Sequence, residues 1–221
     1  VQLIRKFLKS GVMVNGLNQA TTEGTPQGGN LSPLLSNIYL TAFDRMLENR
    51  GHKFVRYADD CNIYVKSQRA AERVMTSCKT YLETKLKLKV NEAKSKAGSP
   101  LRLKFLGFSL YKTGRGVGIR PHGKSLGKFK ERVRQLTSRK QARPVPMILE
   151  RLKRYTMGWL AYYGLAEMKA RLKMLSEWLR RRIRQIFWKQ WKKPSARYEN
   201  LKRLGIEKGK AREWANSRLG Y

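Results

Sequence analysis

The stretch FVRYADDCNIYV, residues 54–65, places two adjacent aspartates between two runs of residues that favour strands. These flanks predict a β-hairpin whose tip lies near Ala58, Asp59 and Asp60. Successive side chains of a regular strand point to opposite faces, but at a tip this alternation breaks and both carboxylates can approach one point. Because Asp is common in turns, an acidic turn without a chemical role is the alternative that the dipeptide alone leaves open.

A metal site is the chemical interpretation of this pair. Two neighbouring carboxylates repel each other, and one of them takes up a proton unless a cation lies with them. Mg²⁺ prefers hard oxygen ligands and is commonly held by one or two protein carboxylates together with water and phosphate. Two such ions can stabilise the attacking and leaving oxygens of a phosphoryl transfer. Asp59 and Asp60 are therefore candidate catalytic residues and candidate ligands of two Mg²⁺ ions.

The charge of the chain points to a polyanionic partner. Of 221 residues, 49 are Lys or Arg and 15 are Asp or Glu, which gives a formal net charge of +34. Self-repulsion of that size destabilises a compact fold unless a polyanion relieves it. Nucleic acid is the first candidate, with strongly salt-dependent binding, and an anionic membrane surface is the second. The apolar runs are too short to span a bilayer, and Cys61 and Cys78 lack the spacing of a zinc site or a disulfide framework.

Two parts of the chain differ in charge and in hydrophobic pattern. Residues 1–110 hold 18 basic and 8 acidic residues, a net charge of +10, whereas residues 111–221 hold 31 and 7, a net charge of +24. The first part alternates helical patterns with short strands. The second part predicts three helical stretches near 124–140, 146–163 and 167–191, followed by two shorter ones. We therefore expect an α+β part followed by an all-helical basic part.

Several motifs, in order along the chain, resemble those of one enzyme family. YADD between two hydrophobic strands resembles the catalytic box of reverse transcriptases, GTPQGGNLSPLLSNIYL resembles the preceding box, and NEAKS and FLGFSL resemble the next two. YTMGWLAYYGLAEM and WLRRRIRQIFWKQWKKP resemble the maturase domain of group II intron-encoded reverse transcriptases. YENLKRLG and AREWANSRLGY resemble the tail that follows this domain. The resemblance covers nearly the whole chain.

The resemblance implies a polymerase-type palm, an antiparallel sheet with helices, followed by an all-α basic thumb. Its expected boundaries are 1–112 for a partial reverse transcriptase palm, 113–123 for a linker, 124–193 for a thumb and maturase domain, and 194–221 for a C-terminal helical extension. The family has a further catalytic aspartate on a strand that we expect upstream of Val1, since the remaining aspartate of this chain, Asp44, lies within a predicted helix. Residues 1–221 alone are therefore expected not to polymerise.

The resemblance also assigns roles to individual residues. Asp59 would be the main metal ligand, with Asp60 beside it and less essential. Residues near the incoming nucleotide, the template or the primer end would be Pro26, Gln27, Gly28, Gly29, Tyr57, Ala58 and Lys94. The primer would be held by Phe105, Leu106, Gly107 and Phe108. Phosphates of RNA would be bound by Arg180, Arg181, Arg182, Arg184, Lys189, Lys192 and Lys193.

Aromatic residues recur at helical spacing in the basic part, and we expect most of them to form core rather than to stack on bases. The residues in question are Trp159, Tyr162, Tyr163, Trp178, Phe187, Trp188 and Trp191.

The function implied is that of an RNA-directed DNA polymerase of the group II intron type with a maturase role. A primer 3′-hydroxyl would attack the α-phosphate of a deoxynucleoside triphosphate. Expected partners are group II intron RNA, an RNA template–DNA primer duplex and deoxynucleoside triphosphates, with no membrane, in the cytoplasm of a bacterium or in an organelle. One alternative is an RNA-binding maturase that assists splicing without copying RNA, and another is a bacterial reverse transcriptase outside introns.

Overall fold

A computed structural model divides the protein into two compact units, Val1–Ser99 and Pro100–Tyr221, hereafter the first and second units. The structure describes residues 2–9, 11–14, 16–19, 29–114, 116–140 and 143–217. No helix within these ranges is both long enough and apolar enough to cross a lipid bilayer.

The first unit alternates helices with two antiparallel strand pairs, β1–β2 and β3–β4. Its elements are α1 Gln2–Lys9, β1 Val12–Val14, β2 Leu17–Gln19, α2 Ser32–Asn49, β3 Lys53–Tyr57, β4 Asp60–Tyr64 and α3 Gln68–Thr84. A glycine ends α2, because Gly51 adopts a φ of 70° and its N–H bonds to Glu48 O at 2.8 Å, while the His52 N–H bonds to Leu47 O at 3.0 Å. This Schellman arrangement satisfies the last carbonyls of α2 and turns the chain into β3.

The core of the first unit lies between α2, α3 and one face of the β3–β4 hairpin. Leu40, Phe43 and Leu47 of α2 are buried with Cys78 of α3. The side chains that pack against them from the hairpin are Phe54, Cys61 and Ile63. The other face of the hairpin contributes nothing to this core, so the two helices support the hairpin from one side.

The second unit begins with a strand pair and continues as helices. Its elements are β5 Phe108–Thr113, β6 Gly116–Pro121, α4 Gly123–Leu136, α5 Val145–Tyr163, α6 Lys169–Gln190, α7 Pro194–Arg203 and α8 Lys208–Asn216. Helices α4, α5 and α6 share one hydrophobic cluster, in which Phe129, Val133 and Leu152 are buried. A second cluster joins α7 and α8 to the end of α6 through Trp188 and Trp191.

The helical second part and the β3–β4 hairpin confirm the sequence predictions, and helices combined with small antiparallel sheets agree with the expected α+β class. In the part of the chain that the structure describes, the strands form three two-stranded antiparallel sheets. Strand β6 lies within residues 113–123, the expected linker, and the compact units divide earlier, between Ser99 and Pro100. The arrangement of a palm followed by a thumb, with its boundaries, stays a prediction.

The prediction that most aromatic residues of the basic part form core is confirmed. Trp159, Trp178, Phe187, Trp188 and Trp191 pack against the buried clusters of the helices. Tyr163 is buried as well. Tyr162 differs, since 52% of its surface is exposed.

The start of α4 depends on a neutral histidine. His122 Nδ1 accepts a hydrogen bond from the Lys124 N–H at 3.0 Å and so caps the helix. Burial, aided by the positive charges of Lys104, Lys124 and Arg120, lowers the pKa of His122 from its ordinary value of 6.5. Because the folded state resists protonation more than the unfolded state does, this cap stabilises the fold above about pH 6.5 and its contribution is lost as the pH falls below that value.

We therefore expect the thermal midpoint of the wild-type protein to fall more between pH 7.5 and pH 5 than that of a His122→Asn variant. Asn is a good cap that does not titrate. Thermal unfolding of both proteins at several pH values checks this, and parallel pH profiles would show that His122 has no such role.

Candidate metal and nucleic-acid site

The tip of the β3–β4 hairpin is a two-residue turn made by Ala58 and Asp59. Tyr57 pairs with Asp60 across the two strands, so Asp60 is the first residue of β4. Ala58 has a φ of 52°, in the left-handed region that residues other than glycine rarely adopt. Both aspartates are exposed. The predicted tip is thus confirmed, with Asp59 in the turn and Asp60 at the strand end.

The face of the hairpin that carries Asp60 is open. Residues directly opposite each other in an antiparallel pair share a face, so Asp60 lies on the same face as Tyr57. Tyr57 is 65% exposed, and Val55 and Tyr64 on this face are also exposed. An acidic group therefore stands beside an uncovered aromatic ring.

Arg56 occupies the opposite face and connects the hairpin tip to α2. Its Nε and Nη2 donate to the two carboxylate oxygens of Asp44 at 2.7 and 2.6 Å. Its Nη1 donates to Asn37 Oδ1 at 2.9 Å and to Ala58 O at 2.8 Å. The side chains of Arg56 and Asp44 are only 12% and 22% exposed. The hydrogen bond to Asp44, only partly opposed by burial, raises the pKa of Arg56.

This ion pair gives Asp44 a structural role that the sequence did not predict. Asp44 neutralises the charge of Arg56 and does not join Asp59 and Asp60 in the acidic pair at the hairpin tip. A signal was present, because alternation places Arg56 on the same face as Phe54, which packs against the core. A charge on that face needs a partner, although the sequence does not say which carboxylate supplies it.

The residues at the tip fit a divalent metal ion. Asp59 and Asp60 provide exposed hard oxygen donors, which suits an ion that takes one or two protein carboxylates. No group of three or more His, Cys, Asp or Glu side chains that could hold a metal occurs among the described residues. The neighbouring Cys61 does not add a thiolate, because burial raises its pKa to about 11. The tip therefore offers two carboxylates, and their role as metal ligands stays a prediction.

The other residues predicted near the nucleotide are only partly described. Pro26, Gln27 and Gly28 lie outside the described residues. Gly29 O accepts from the Ser32 N–H at 3.1 Å, just before α2 begins. Lys94 is exposed on a turn in which its N–H bonds to Asn91 Oδ1 at 3.2 Å. The roles of these residues stay predictions.

The residues predicted to hold the primer form a tight turn in the second unit. Phe105 and Phe108 exchange two backbone hydrogen bonds at 3.0 and 2.8 Å. Between them, Leu106 and Gly107 have φ values of 48° and 82°. Positive φ at both central residues is typical of the tightest hairpin connection.

Helices α4 and α5 hold this turn by its carbonyl groups. Tyr162 Oη donates to Leu106 O at 2.9 Å. Gly107 O accepts from Ser125 Oγ at 2.8 Å and from the His122 N–H at 2.9 Å. Phe108 also packs against the rings of Tyr162 and Tyr163, with centroids 5.6 and 5.0 Å apart. The exposed Tyr162 thus has a structural contact, which the sequence did not reveal.

The basic residues of α6 and of the segment that follows it differ in their exposure to solvent. Arg184 is partly exposed, and five others are exposed: Arg180, Arg181, Lys189, Lys192 and Lys193. Lys189 Nζ also donates to the backbone oxygen of Arg139. The exposed members can meet a phosphate without losing an existing contact, apart from Lys189.

Arg182 differs from these because its guanidinium bonds within the protein. It donates to Thr137 Oγ1 at 2.9 Å, to Arg134 O at 3.2 Å and to Thr137 O at 3.3 Å. Thr137 is completely buried. Burial, with a smaller contribution from the charge of Arg134, lowers the pKa of Arg182. These contacts satisfy the C-terminal carbonyls of α4, so the geometry favours a structural role for Arg182 over the predicted contact with RNA.

Curated proteins are similar in sequence to parts of this chain. It is 34% identical to Protein YkfC of Escherichia coli K12, over 42% of this chain and 34% of that protein. It is 53% identical to the group II intron-encoded protein LtrA of Lactococcus lactis, over 25% of this chain and 9% of LtrA. An uncharacterised 91 kDa protein in the cob intron of Schizosaccharomyces pombe is 43% identical over 24% of this chain and 7% of its own length. The matches therefore span about a third of YkfC and less than a tenth of the other two.

Two family descriptions match consecutive parts of the sequence. Residues 1–110 match the reverse transcriptase (RNA-dependent DNA polymerase) family, whose members generally use divalent metal ions. Residues 126–205 match the maturase-specific domain of group II introns. The first match contains the acidic hairpin and the second contains the basic helices. The chain belongs to the reverse transcriptases and maturases encoded by group II introns.

Proposed function

We propose that this chain is part of an RNA-directed DNA polymerase that extends a DNA primer on an RNA template with deoxynucleoside triphosphates. The observation that supports it best is the hairpin tip, where two exposed carboxylates adjoin an exposed tyrosine in a chain of net charge +34. Such a chain attracts nucleic acid, and RNA binding alone gives no reason for an acidic tip. Asp59 and Asp60 would hold two Mg²⁺ ions, which when bound stabilise charge on the attacking and leaving oxygens.

Other residues of the chain would then bind the nucleotide and the primer. The uncovered ring of Tyr57 would lie under the nucleotide or the primer end, where a flat apolar surface packs against a sugar or a base. Gly29 and Lys94 would approach the incoming nucleotide, the lysine as a positive charge near the triphosphate. The turn at residues 105–108 would hold the primer. Hydrogen bonds from α4 and α5 to the Leu106 and Gly107 carbonyls fix the shape of this turn.

Primer extension by the native protein that contains this chain tests the proposal. We expect DNA synthesis on an RNA template that requires a divalent metal and all four deoxynucleotides. A native protein that binds template and primer but adds no nucleotide would contradict it and would leave the RNA-binding maturase without polymerase activity as the better description.

We also propose a maturase role for the second unit, in which exposed cations bind intron RNA and assist splicing. It is supported by the net charge of +24 over residues 111–221. The basic side chains at α6 would contact phosphates, which fixes position and gives affinity but carries little sequence information.

The difference between Arg181 and Arg182 provides a test of this role. Arg181→Ala should weaken RNA binding and reduce the slope of log affinity against log salt by about one, with an unchanged thermal midpoint. Arg182→Ala should lower the free energy of unfolding by about 1–3 kcal/mol, because it leaves the end of α4 unsatisfied, and it should keep the salt slope. Filter binding at several salt concentrations and thermal unfolding check both variants, and a reversed pattern would contradict the assignment.

A further inference from the structure

The partners of Arg56 on α2 are placed for a guanidinium group. Asn37 and Asp44 are seven residues apart, which is close to two helical turns, so they lie on the same side of α2. Asp44 accepts two bonds from Arg56 in a fork, and Asn37 accepts a third. With three of its bonds made to one helix, the guanidinium has a fixed position and orientation relative to α2.

The fourth bond of Arg56 reaches the acidic tip. Its acceptor, Ala58 O, belongs to the same planar peptide unit as the Asp59 nitrogen. Fixing this carbonyl therefore fixes the plane from which the Asp59 backbone continues. The turn needs such support, because Ala58 holds a φ of 52° that costs about 1 kcal/mol or more in a residue with a Cβ.

We propose that Arg56, held by Asp44, is a positioning residue that sets the orientation of Asp59 for metal binding. The inference rests on the proposed function and extends it to side chains that do not touch the reacting groups. Asp44 acts through Arg56, Arg56 acts through the Ala58 carbonyl, and the carbonyl sets the backbone of Asp59. Helix α2 thereby becomes the rigid support of the catalytic carboxylate.

Arg56→Lys separates this role from simple charge pairing. A lysine keeps the positive charge and can pair with Asp44, but it lacks the planar fork that binds Asp44 and Ala58 O at once. We expect a modest fall in the thermal midpoint, because lysine leaves some acceptors of Arg56 without a donor. We also expect a fall of about 10- to 100-fold in kcat per folded molecule for primer extension, because a displacement of about 1 Å at a reacting group has effects of this size. The KM for the template–primer should change little.

A binding measurement tests the same inference without activity. We expect Arg56→Lys to weaken the binding of Mn²⁺, titrated as the free ion by its EPR signal, by about tenfold, in line with the loss that supporting partners of metal ligands cause. Asp44→Asn should act in the same direction. The double variant Asp44→Asn with Arg56→Lys should be no worse than the poorer single variant, because both changes break one chain of contacts.

Glu150 and Arg154 provide a matched control. They form an ion pair on α5 with a 3.0 Å contact and exposed side chains. Glu150→Gln removes an ion pair as Asp44→Asn does, but one that is remote from the hairpin in sequence and lies in the second unit. Its kcat and Mn²⁺ affinity should equal those of the wild type.

The outcomes separate this inference from the proposed function. Arg56→Lys with wild-type kcat and wild-type Mn²⁺ affinity would overturn it. A lower thermal midpoint with unchanged kcat per folded molecule would overturn it as well, since that is the signature of a purely structural contact. If the wild-type protein extends no primer, the proposed function fails, and the Mn²⁺ titration alone then decides whether Arg56 positions Asp59.

Discussion

Asp59→Asn in the native protein should lower the rate of primer extension about a thousandfold. Asparagine keeps the size of the side chain and one oxygen but removes the negative charge that would hold a divalent ion. Metal stabilisation of a transition state amounts to several kcal/mol, and about 4 kcal/mol corresponds to a factor of about a thousand in rate. Because Asp59 is exposed and in a turn, the thermal midpoint should stay close to that of the wild type. Single-turnover extension on an RNA template measures the effect.

Two further variants show whether the loss of primer extension is specific to the carboxylate of Asp59. Asp60→Asn removes the adjacent carboxylate and should have a smaller effect, since Asp60 is expected to be the less essential ligand. Glu48→Gln removes an exposed negative charge of α2 in the same unit and should have none. Binding of intron RNA and assistance of splicing should survive in Asp59→Asn. If splicing assistance is lost together with primer extension, the division between the acidic hairpin and the basic helices is wrong.

Gly107→Ala should strongly destabilise the second unit. Gly107 has a φ of 82°, where a residue with a Cβ is strained, and an added Cβ would overlap Tyr163 Oη and lie 3.2 Å from Tyr163 Cζ. Tyr163 is buried against Phe108 and Trp159, with ring centroids 5.0 and 4.6 Å apart, and has little room to move. Strain of about 1 kcal/mol and overpacking of about 1–3 kcal/mol together predict a loss of about 2–4 kcal/mol.

Gly205 separates the two causes of this loss. It has a similar φ of 84° at the end of α7, but nothing lies within 4 Å of an added Cβ. Gly205→Ala should therefore cost only the backbone strain of about 1 kcal/mol. Tyr163→Phe removes the overlapping oxygen and should reduce the cost of Gly107→Ala. Thermal unfolding of the single and double variants measures this coupling, and equal losses for Gly107→Ala and Gly205→Ala would show that the close approach of Tyr163 has no energetic weight.

The features that the sequence could predict are those encoded locally. The hairpin follows from strand-favouring residues on either side of a short polar tip, and the packing face of α6 follows from Leu175, Leu179 and Ile183, which all join the cluster shared with α4 and α5. Such patterns need only the periods of a strand and a helix. The same patterns predict that Asp59 and Asp60 lie at the hairpin tip.

The features that the sequence could not predict depend on partners far along the chain. Asp44 meets Arg56 from twelve residues away, and helical periodicity shows only that Asp44 lies on a helix. Arg182 is one of several arginines in a basic run, and its role depends on the end of α4, 45 residues earlier. The sequence pattern does not distinguish these arginines, whereas in the structure the guanidinium of Arg182 bonds to the C-terminal carbonyls of α4.

The most direct test of the acidic hairpin as a metal site is cleavage of the protein by bound Fe²⁺. Fe²⁺ that replaces the divalent ion generates hydroxyl radicals with ascorbate and peroxide, and these cut the backbone close to where the ion binds. In the native protein with template and primer, we expect cuts within residues 57–61 that excess Mg²⁺ suppresses and that Asp59→Asn abolishes. Metal-dependent cuts elsewhere in the chain, with none at the hairpin tip, would contradict the account.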